Sequence, residues 1–265
     1  MSYAVTVGTG GLAGWRVLNR TADTQKAIIA AEHQVQTTRS RFQNGMSRFT
    51  SADDLMSDYR SLTVALTAFG LESDLPNKAF IRKVLESDLS DQKSFANRLR
   101  DKRYVKLAEA FSFGDKTFGQ AQRVVRADNI GTQYIDRVFE QRVGQTDNNM
   151  RLAMNARREL ADLAQKSSGE NTKWYEILGS PPLREVVSGA LGLGQSFGSM
   201  PLDSQRDLFK SAAQKQLGID SLSQLADPAT LEKLLDRFII RASISSGSAT
   251  AYSPALALLT GGRMG

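Results

Sequence analysis

The sequence predicts an all-α protein: a multi-helix bundle of two similar helical lobes from an internal duplication, with a flexible N-terminal leader and a flexible C-terminal tail. Three observations predict this class. Apolar residues recur at helical spacing along most of the chain. The 265 residues include only 6 prolines and few β-branched runs, which favours helix. Finally, one segment from each half of the chain can be aligned with the other.

The composition is that of a soluble globular protein, with 41% hydrophobic and 23% charged residues. No apolar run approaches the roughly 20 residues that a membrane span needs. The N-terminus lacks the basic and apolar regions of a cleaved signal peptide, so none is expected. Cysteine is absent, which excludes disulfides, thiolate catalysis and cysteine-ligated metals. This absence fits a cytoplasmic protein, and it also fits a protein that is exported unfolded.

Residues 1–20 are predicted to form the leader, a Gly/Thr-rich segment without periodicity that ends in the more apolar GLAGWRVL. The first lobe is predicted over residues 21–118, beginning with a helix from about Thr24 to Phe42. A clearer helix start follows, because Ser51 lies three residues before Asp54, the spacing of a capping box. The apolar stripe of the helix beyond it consists of Leu55, Tyr59, Leu62, Leu66 and Phe69, before Gly70 ends the run.

The second lobe is predicted over residues 119–243 and the tail over residues 244–265. The segment FSFGDKTFGQ, with two glycines, is the linker candidate between the lobes. Asp227 and Pro228 form a cap-and-first-turn pair for the last helix of the second lobe. In the tail, SISSGSATAYS is flexible in composition, and PALALL predicts a short apolar helix.

The internal duplication is visible when Asp53–Leu71 is aligned without gaps on Tyr175–Leu193. Downstream, LRDKRYVKLAEAF aligns with LADPATLEKLLDRF, which is one residue longer. The paired residues include Leu55 with Ile177, Val64 with Val186, Leu99 with Leu225, Asp101 with Asp227 and Phe111 with Phe238. Two copies are too few for a solenoid, so a pair of helical lobes is expected. Whether they share one core stays open.

Residue patterns for catalysis are absent. His33 is the only histidine, and its place in a predicted helix favours a half-exposed side chain over a general base or a metal ligand. The segment GLGQSFGS lacks the preceding strand of a dinucleotide site, and GDKT lacks the upstream glycine of a phosphate-binding loop. We therefore predict no catalytic, cofactor-binding or metal-binding residue, no cofactor, and a protein that is not an enzyme.

Carboxylate pairs leave one enzymatic hypothesis open. Asp53 with Asp54 and Glu86 with Asp88 provide acids that suit general acid–base work in principle. Their positions near helix ends also give them a structural role. An enzyme built on these groups would have a concave pocket with strongly perturbed acids.

Basic residues suggest a nucleic-acid alternative. The net charge is +6, and residues 1–50 hold 6 Lys or Arg against 2 Asp or Glu. The basic residues of this region and of the 98–106 cluster are Arg16, Arg20, Lys26, Arg39, Arg41, Arg48, Arg98, Arg100, Lys102, Arg103 and Lys106. Acidic residues surround the 98–106 cluster, and mixed charge is typical of a solvated helix face.

Several segments resemble a family of uncharacterised helical proteins of alphaproteobacteria. The similarity runs from about Phe49 to Phe238, through FTSADDLMSDYRSLTVALTAFGLESDL, KVLESDLSDQKSFANRLRDKRYVKLAEAF, WYEILGSPPLREVVSGALGL and LEKLLDRF. Members of that family are often encoded among flagellar basal-body and motor genes. The resemblance therefore implies a motility context, and it carries over no catalytic residue.

The leading hypothesis is a non-enzymatic flagellar-associated structural or assembly protein that acts through protein–protein contacts. It would be cytoplasmic or exported through the flagellar secretion route. The predicted contact residues are Trp15, Val17 and Leu18 in the leader and Leu256, Leu258 and Leu259 in the tail. The alternative interpretation is that these side chains pack on the protein's own core. The alternative function is a cytoplasmic nucleic-acid-binding regulator using basic helix faces, and self-association stays open.

Overall fold

The computed structural model describes the backbone of residues 3–115 and 120–260 and the side chains of residues 3–115, 122, 125–194 and 196–245. Every regular element in these ranges is a helix, which confirms the all-α class. The α-helices are α1 (Gly11–Ala31), α2 (His33–Gly45), α3 (Ala52–Ser57), α4 (Tyr59–Ala68), α5 (Lys78–Leu85), α6 (Phe95–Arg98), α7 (Arg103–Phe111), α8 (Gln120–Thr146), α9 (Asn148–Gln165), α10 (Glu170–Gly179), α11 (Pro181–Leu191), α12 (Leu202–Leu217) and α13 (Pro228–Thr260).

Residue contacts divide the chain into two compact units. The first unit comprises Met1–Val5 and Ala22–Arg142, and the second comprises Thr6–Thr21 and Val143–Gly265. This division differs from the predicted boundary at 118/119, because most of α8 has its contacts in the first unit. Part of the predicted linker FSFGDKTFGQ, residues 116–119, lies outside the described residues.

The predicted leader differs from the structure, because α1 begins at Gly11 and not near Thr24. Gly10 and Gly11 have φ values of 78° and 55°, a conformation that glycine adopts without strain. The apolar GLAGWRVL forms the first turns of α1, and Trp15 and Leu18 are buried in the second unit. The segment therefore belongs to a core, which a search for periodicity over the leader alone does not reveal.

The helix predicted from Thr24 to Phe42 is interrupted at Glu32, whose backbone is extended (φ −60°, ψ 131°). Its side chain does not cap α2. The carboxylate instead binds Arg142 and the backbone N–H of Tyr3. The break therefore follows from contacts with residues far away in the sequence.

The predicted capping box is present at the start of α3. Ser51 accepts a hydrogen bond from the backbone N–H of Asp54, and Asp54 accepts one from the backbone N–H of Ser51. The helix is short, because Asp58 is extended (φ −94°, ψ 92°) and starts α4 by accepting from the N–H of Ser61. Local side-chain chemistry thus sets the start of both helices.

The two units repeat the same local structure at residues that the alignment pairs. Asp58, which separates α3 from α4, aligns with Ser180, which separates α10 from α11 and is also extended (φ −102°, ψ 105°). Helices α4 and α11 end at glycines with φ values of 68° for Gly70 and 70° for Gly192. The N–H of the next leucine donates to the carbonyl five residues earlier in both copies, as in a Schellman motif.

The packing order repeats as well. Helix α2 packs on α4, α3 on α5 and α5 on α7, whereas α9 packs on α11, α10 on α12 and α12 on α13. The copies differ after Phe111 and its partner Phe238, because α7 ends at Phe111 and α13 continues to Thr260. The structure therefore contains two similar helical lobes, as the sequence alignment predicts.

Each unit has its own aromatic core. In the first unit, Phe42 and Phe111 are fully buried and meet edge to face with ring centroids 6.3 Å apart. In the second unit, the ring centroid of Phe209 lies 5.9 Å from that of Trp174 and 4.7 Å from that of Phe197, on which Phe209 stacks. Such pairs stabilise a fold by about 0.5–1.5 kcal/mol beyond the burial of their area.

Candidate functional site

A groove in the first unit is lined by residues of α2 with its N-cap, α4 and α8. Its volume is about 900 Å³, at the upper end of the roughly 300–1,000 Å³ of ligand pockets. The lining residues are Glu32, His33, Gln34, Val35, Thr37, Thr38, Tyr59, Arg60, Thr63, Tyr134, Val138 and Arg142. Apolar, hydroxyl and charged side chains therefore share one concave surface.

The helix break at Asp58 positions one wall of this groove. Arg41 Nε donates to Asp58 Oδ2 at 2.9 Å, which ties α2 to the start of α4. Burial acts to raise the pKa of Asp58, but the hydrogen bonds from Arg41 and Ser61 outweigh it and hold that pKa below its usual range. Tyr59 and Arg60 follow directly, in the first turn of α4.

A partly buried ion pair forms one end of the groove. Arg142 Nη2 donates to Glu32 Oε2 at 2.8 Å and Arg142 Nη1 donates to Glu32 Oε1, a bidentate arrangement. The backbone N–H of Tyr3 also donates to this carboxylate, at 2.7 Å. The hydrogen bond from Arg142 lowers the pKa of Glu32, and the bond from Glu32 raises the pKa of Arg142. Both charges are therefore already matched within the unit.

Tyr134 lies in the wall that α8 contributes. Its side chain is only 9% exposed, and no described residue forms a hydrogen bond with its hydroxyl. Burial raises the pKa of this phenol, so the hydroxyl stays protonated and able to donate at physiological pH. Tyr134 differs in this from Tyr104, whose hydroxyl donates to Asp74 at 2.6 Å.

The rim of the groove carries exposed side chains. Tyr59 is 59% exposed although it lies on the helix that contains the core residues Leu62 and Leu66. Arg60 and His33 are also exposed, and neither belongs to an ion pair among the described residues. The floor is apolar, with Val35 buried and Val138 half-buried. An aromatic side chain and a cation thus flank a partly apolar floor.

Three of the four carboxylates that suit acid–base chemistry in the sequence have structural partners. Asp53 pairs with Arg82, Asp54 completes the capping box, and Asp88 accepts hydrogen bonds from Ser90. Within the described residues, no group of three or more His, Cys, Asp or Glu residues is placed to hold a metal ion. None of the acidic pairs lines the groove.

Two residues of the 98–106 cluster bind within the protein. Lys102 Nζ donates to the carbonyls of Asn97 and Leu99, each at 3.1 Å. Arg103 binds Asp101 and the carbonyl of Gly70. They cap helix ends, so they do not form a continuous free basic face.

Basic residues of the N-terminal region also have acidic partners. Lys26 binds Asp136 at 2.7 Å in the first unit, and Arg16 binds Asp236 at 3.7 Å in the second. These cations are neutralised within their own units. Only exposed residues such as Arg20 and Arg48 resemble the free cations that a phosphate contact needs.

Two of the three contact residues predicted in the leader are buried. Trp15 and Leu18 are 0% and 1% exposed, and Arg157 stacks over the Trp15 ring at 4.6 Å within the second unit. Only Val17 is partly exposed, in a shallow depression of about 390 Å³ between Arg16 and Arg20. The tail side chains lie outside the described side chains, although the backbone there belongs to α13: Leu256, Leu258 and Leu259.

No local sequence pattern indicates the groove. Tyr59 fits the apolar stripe of a helix that begins at Ser51, and the break at Asp58 changes the face on which it lies. Arg142 and Tyr134 are far from α2 in the sequence, so no local pattern links them to His33. The one available signal was Asp58 itself, a good N-cap residue directly before Tyr59.

The fold defines a duplicated all-α protein that has a groove in its first unit. Residues 68–231 match a family described as protein of unknown function (DUF1217), and the chain belongs to that family. It is similar to the crystal structure of a protein from Agrobacterium tumefaciens, an alphaproteobacterium. The two share 27% identity with a TM-score of 0.73, over 92% of this chain and 96% of the other.

No curated protein matches the chain. In the part of the chain that the structure describes, no helix is both long and apolar enough to cross a membrane. Because the family is described as one of unknown function, it carries no assigned activity over to this chain.

Proposed function

We propose that the protein is a non-enzymatic flagellar-associated structural or assembly protein that acts through protein–protein contacts. The observation that carries the proposal is the groove of the first unit, with exposed Tyr59 on its rim. Tyrosine is enriched at protein interfaces, because its ring buries apolar area while its hydroxyl stays available for hydrogen bonds.

The internal repeat supports a binding role for this surface. Tyr59 and Arg60 align with Pro181 and Pro182, which occupy the first turn of α11. Proline suits the first helical turn for purely conformational reasons. Helix initiation at this point of the fold therefore does not require an exposed tyrosine and arginine, and in the first unit these side chains are available for a partner.

The flagellar context rests on the resemblance to proteins encoded among flagellar genes, and motility tests it. We expect a deletion strain to swim less well in soft agar, the wild-type gene to restore swimming, and a Tyr59→Ala, Arg60→Glu double variant to restore less. Arg98→Glu, an exposed arginine on α6 outside the groove, is the matched control and should restore swimming fully. Normal swimming of the deletion strain would overturn the flagellar proposal.

Location then separates a structural part from an assembly factor. A tagged chromosomal copy can be followed in cytoplasm, membranes, purified hook–basal bodies and culture medium, in the wild type and in a flagellar-export mutant. Export-dependent appearance in basal bodies or medium identifies a secreted component. A cytoplasmic location in both strains, combined with a swimming defect, identifies an assembly factor.

The nucleic-acid alternative has weaker support, because Lys102 and Arg103 cap helix ends. It makes a separate prediction about salt. Binding that depends on phosphate contacts weakens steeply as the salt concentration rises. Binding of duplex or single-stranded DNA at low salt, lost at high salt and after substitution of exposed arginines, would favour this alternative.

A further inference from the structure

We infer that the groove of the first unit accepts an acidic segment of a protein partner, with a partner carboxylate held by the Tyr134 hydroxyl and the Arg60 guanidinium. This inference rests on the proposed function and specifies the chemistry of the partner. It is carried by unmatched hydrogen-bond donors that line the same groove as an apolar floor.

The first donor is the hydroxyl of Tyr134. The side chain is about nine-tenths buried, lines the groove, and has no hydrogen-bond partner among the described residues. The hydroxyl is therefore available to a bound molecule, and a carboxylate is the strongest acceptor that a protein partner offers.

The charge of the groove favours an anion. Of its charged residues, Glu32 and Arg142 neutralise each other in a bidentate pair. Arg60 remains as a cation with no acid beside it in the lining set. No lining carboxylate is left to attract a basic partner. The whole chain is also basic, with a net charge of +6, which steers acidic partners towards it.

The start of α2 adds to this preference. The Glu32 side chain turns to Arg142 and does not cap the helix. The first-turn residues His33, Gln34 and Val35 line the groove. The first turn of α2 therefore contributes to the groove and contains no acidic residue that would repel an anion.

A protein segment fits the groove better than a nucleic acid. Nucleic-acid sites gain most of their affinity from several Lys or Arg contacts to phosphates, whereas Arg60 is the one uncommitted Lys or Arg in the lining set. Val35 and Val138 offer an apolar floor, and Tyr59 an aromatic rim. In a segment that combines acidic with aliphatic side chains, the acidic groups match Arg60 and the aliphatic groups match the apolar floor.

Peptide selection tests the inference with the full-length protein as bait. A random dodecapeptide library displayed on phage is selected on wild-type protein, and the most enriched peptide is synthesised with a fluorescent label for anisotropy. We expect Asp and Glu to be enriched over the unselected library beside Leu, Ile or Phe. Arg60→Glu should lower the affinity for the peptide by about tenfold or more, and Tyr134→Phe should lower it by about 10–100-fold.

Arg98→Glu is the matched control for charge and should leave the affinity unchanged, and circular dichroism shows that each variant is folded. Peptides without acidic enrichment that still lose affinity in Tyr59→Ala would overturn the acidic partner while leaving a protein-binding groove. Selected peptides that are insensitive to Tyr59→Ala, Arg60→Glu and Tyr134→Phe would overturn both proposals. Groove-dependent binding of a single-stranded oligonucleotide in place of peptides would also overturn them.

Discussion

Glu32 connects three parts of the first unit through one carboxylate. It terminates α1, precedes α2, and binds both Arg142 of α8 and the backbone of Tyr3. The side chains of the pair are only 14% and 15% exposed, so the attraction is less screened than at a surface site. The pair therefore holds the end of the groove in place and does not serve as a binding group.

The Glu32 carboxylate makes stability depend on pH in a defined direction, and its replacement removes that dependence. Because Arg142 lowers the pKa of Glu32 from its usual value of about 4.5, the stabilisation is complete above that value and is lost as the pH falls through the lowered pKa. We expect Glu32→Gln to reduce the free energy of unfolding at pH 7 by about 1–3 kcal/mol. The difference from wild type should shrink in urea titrations below pH 4.

The exposed pair of Asp53 and Arg82 provides a control, since its side chains are 62% and 49% exposed. Asp53→Asn should change the unfolding curve little at either pH, as is usual for surface ion pairs. If Asp53→Asn lowered the free energy of unfolding at pH 7 as much as Glu32→Gln, and the difference also shrank in acid, the special role of the Glu32–Arg142 pair would be contradicted.

At single residues, the sequence indicates apolar segments and does not determine which of their side chains are exposed. Trp15 and Leu18 belong to an apolar segment, but the sequence does not show whether their partner is the protein's own core or another chain. Tyr59 has the spacing of a core residue and is exposed, because a single extended residue, Asp58, resets the helix. Such outcomes depend on contacts that are distant in the sequence.

Among the elements, the glycine turns after α4 and α11 are the most similar parts of the two units. Gly70 and Gly192 both have a left-handed backbone, which costs other residues about 1–2 kcal/mol. We expect Gly70→Ala and Gly192→Ala each to lower the free energy of unfolding by about this amount. Chemical denaturation of each variant checks the size of the effect.

Gly179 at the end of α10 is the matched control. A Cβ atom there meets nothing within 4 Å, and its φ is not positive. Gly179→Ala should therefore leave the free energy of unfolding unchanged or raise it by about 0.4–1 kcal/mol, because alanine reduces the conformational entropy of the unfolded chain. A loss at Gly179 equal to that at Gly70 would show that backbone conformation does not explain the effect.

Helix ends with local signals were predictable, and those set by distant contacts were not. The capping box at Ser51 and the cap at Asp227 follow from a few adjacent residues, and both are present. The start of α1 at Gly11 and the break at Glu32 depend on a core and on Arg142, respectively. Propensity alone does not report either partner.

For the whole molecule, the repeat explains where the candidate site lies. The two copies share their helix breaks, glycine turns and packing order, and they differ at the first turn of α4 and α11. The groove residues Tyr59 and Arg60 lie at this point of divergence. The duplication was predictable because paired residues recur in order, whereas the groove was not, because its walls come from three separate segments.

Each unit is built from two separate segments of the chain, and this organisation can be tested. The second unit includes Thr6–Thr21, and Trp15 is fully buried there beneath Arg157. We expect Trp15→Ala to destabilise the second unit by about 3–5 kcal/mol, as for other large core truncations. Hydrogen exchange followed by mass spectrometry should show faster exchange in α9 and α11, while α4 and α5 of the first unit keep their protection.

Val17→Ala is the matched control, because Val17 lies on the same helix and is partly exposed. It should leave the exchange of α9 and α11 close to that of the wild type. Equal acceleration in both units after Trp15→Ala would contradict a core that belongs to the second unit alone. Unchanged hydrogen exchange would show that Trp15 contributes little to the stability of the second unit. The hypothesis that Trp15 contacts a partner would then be favoured.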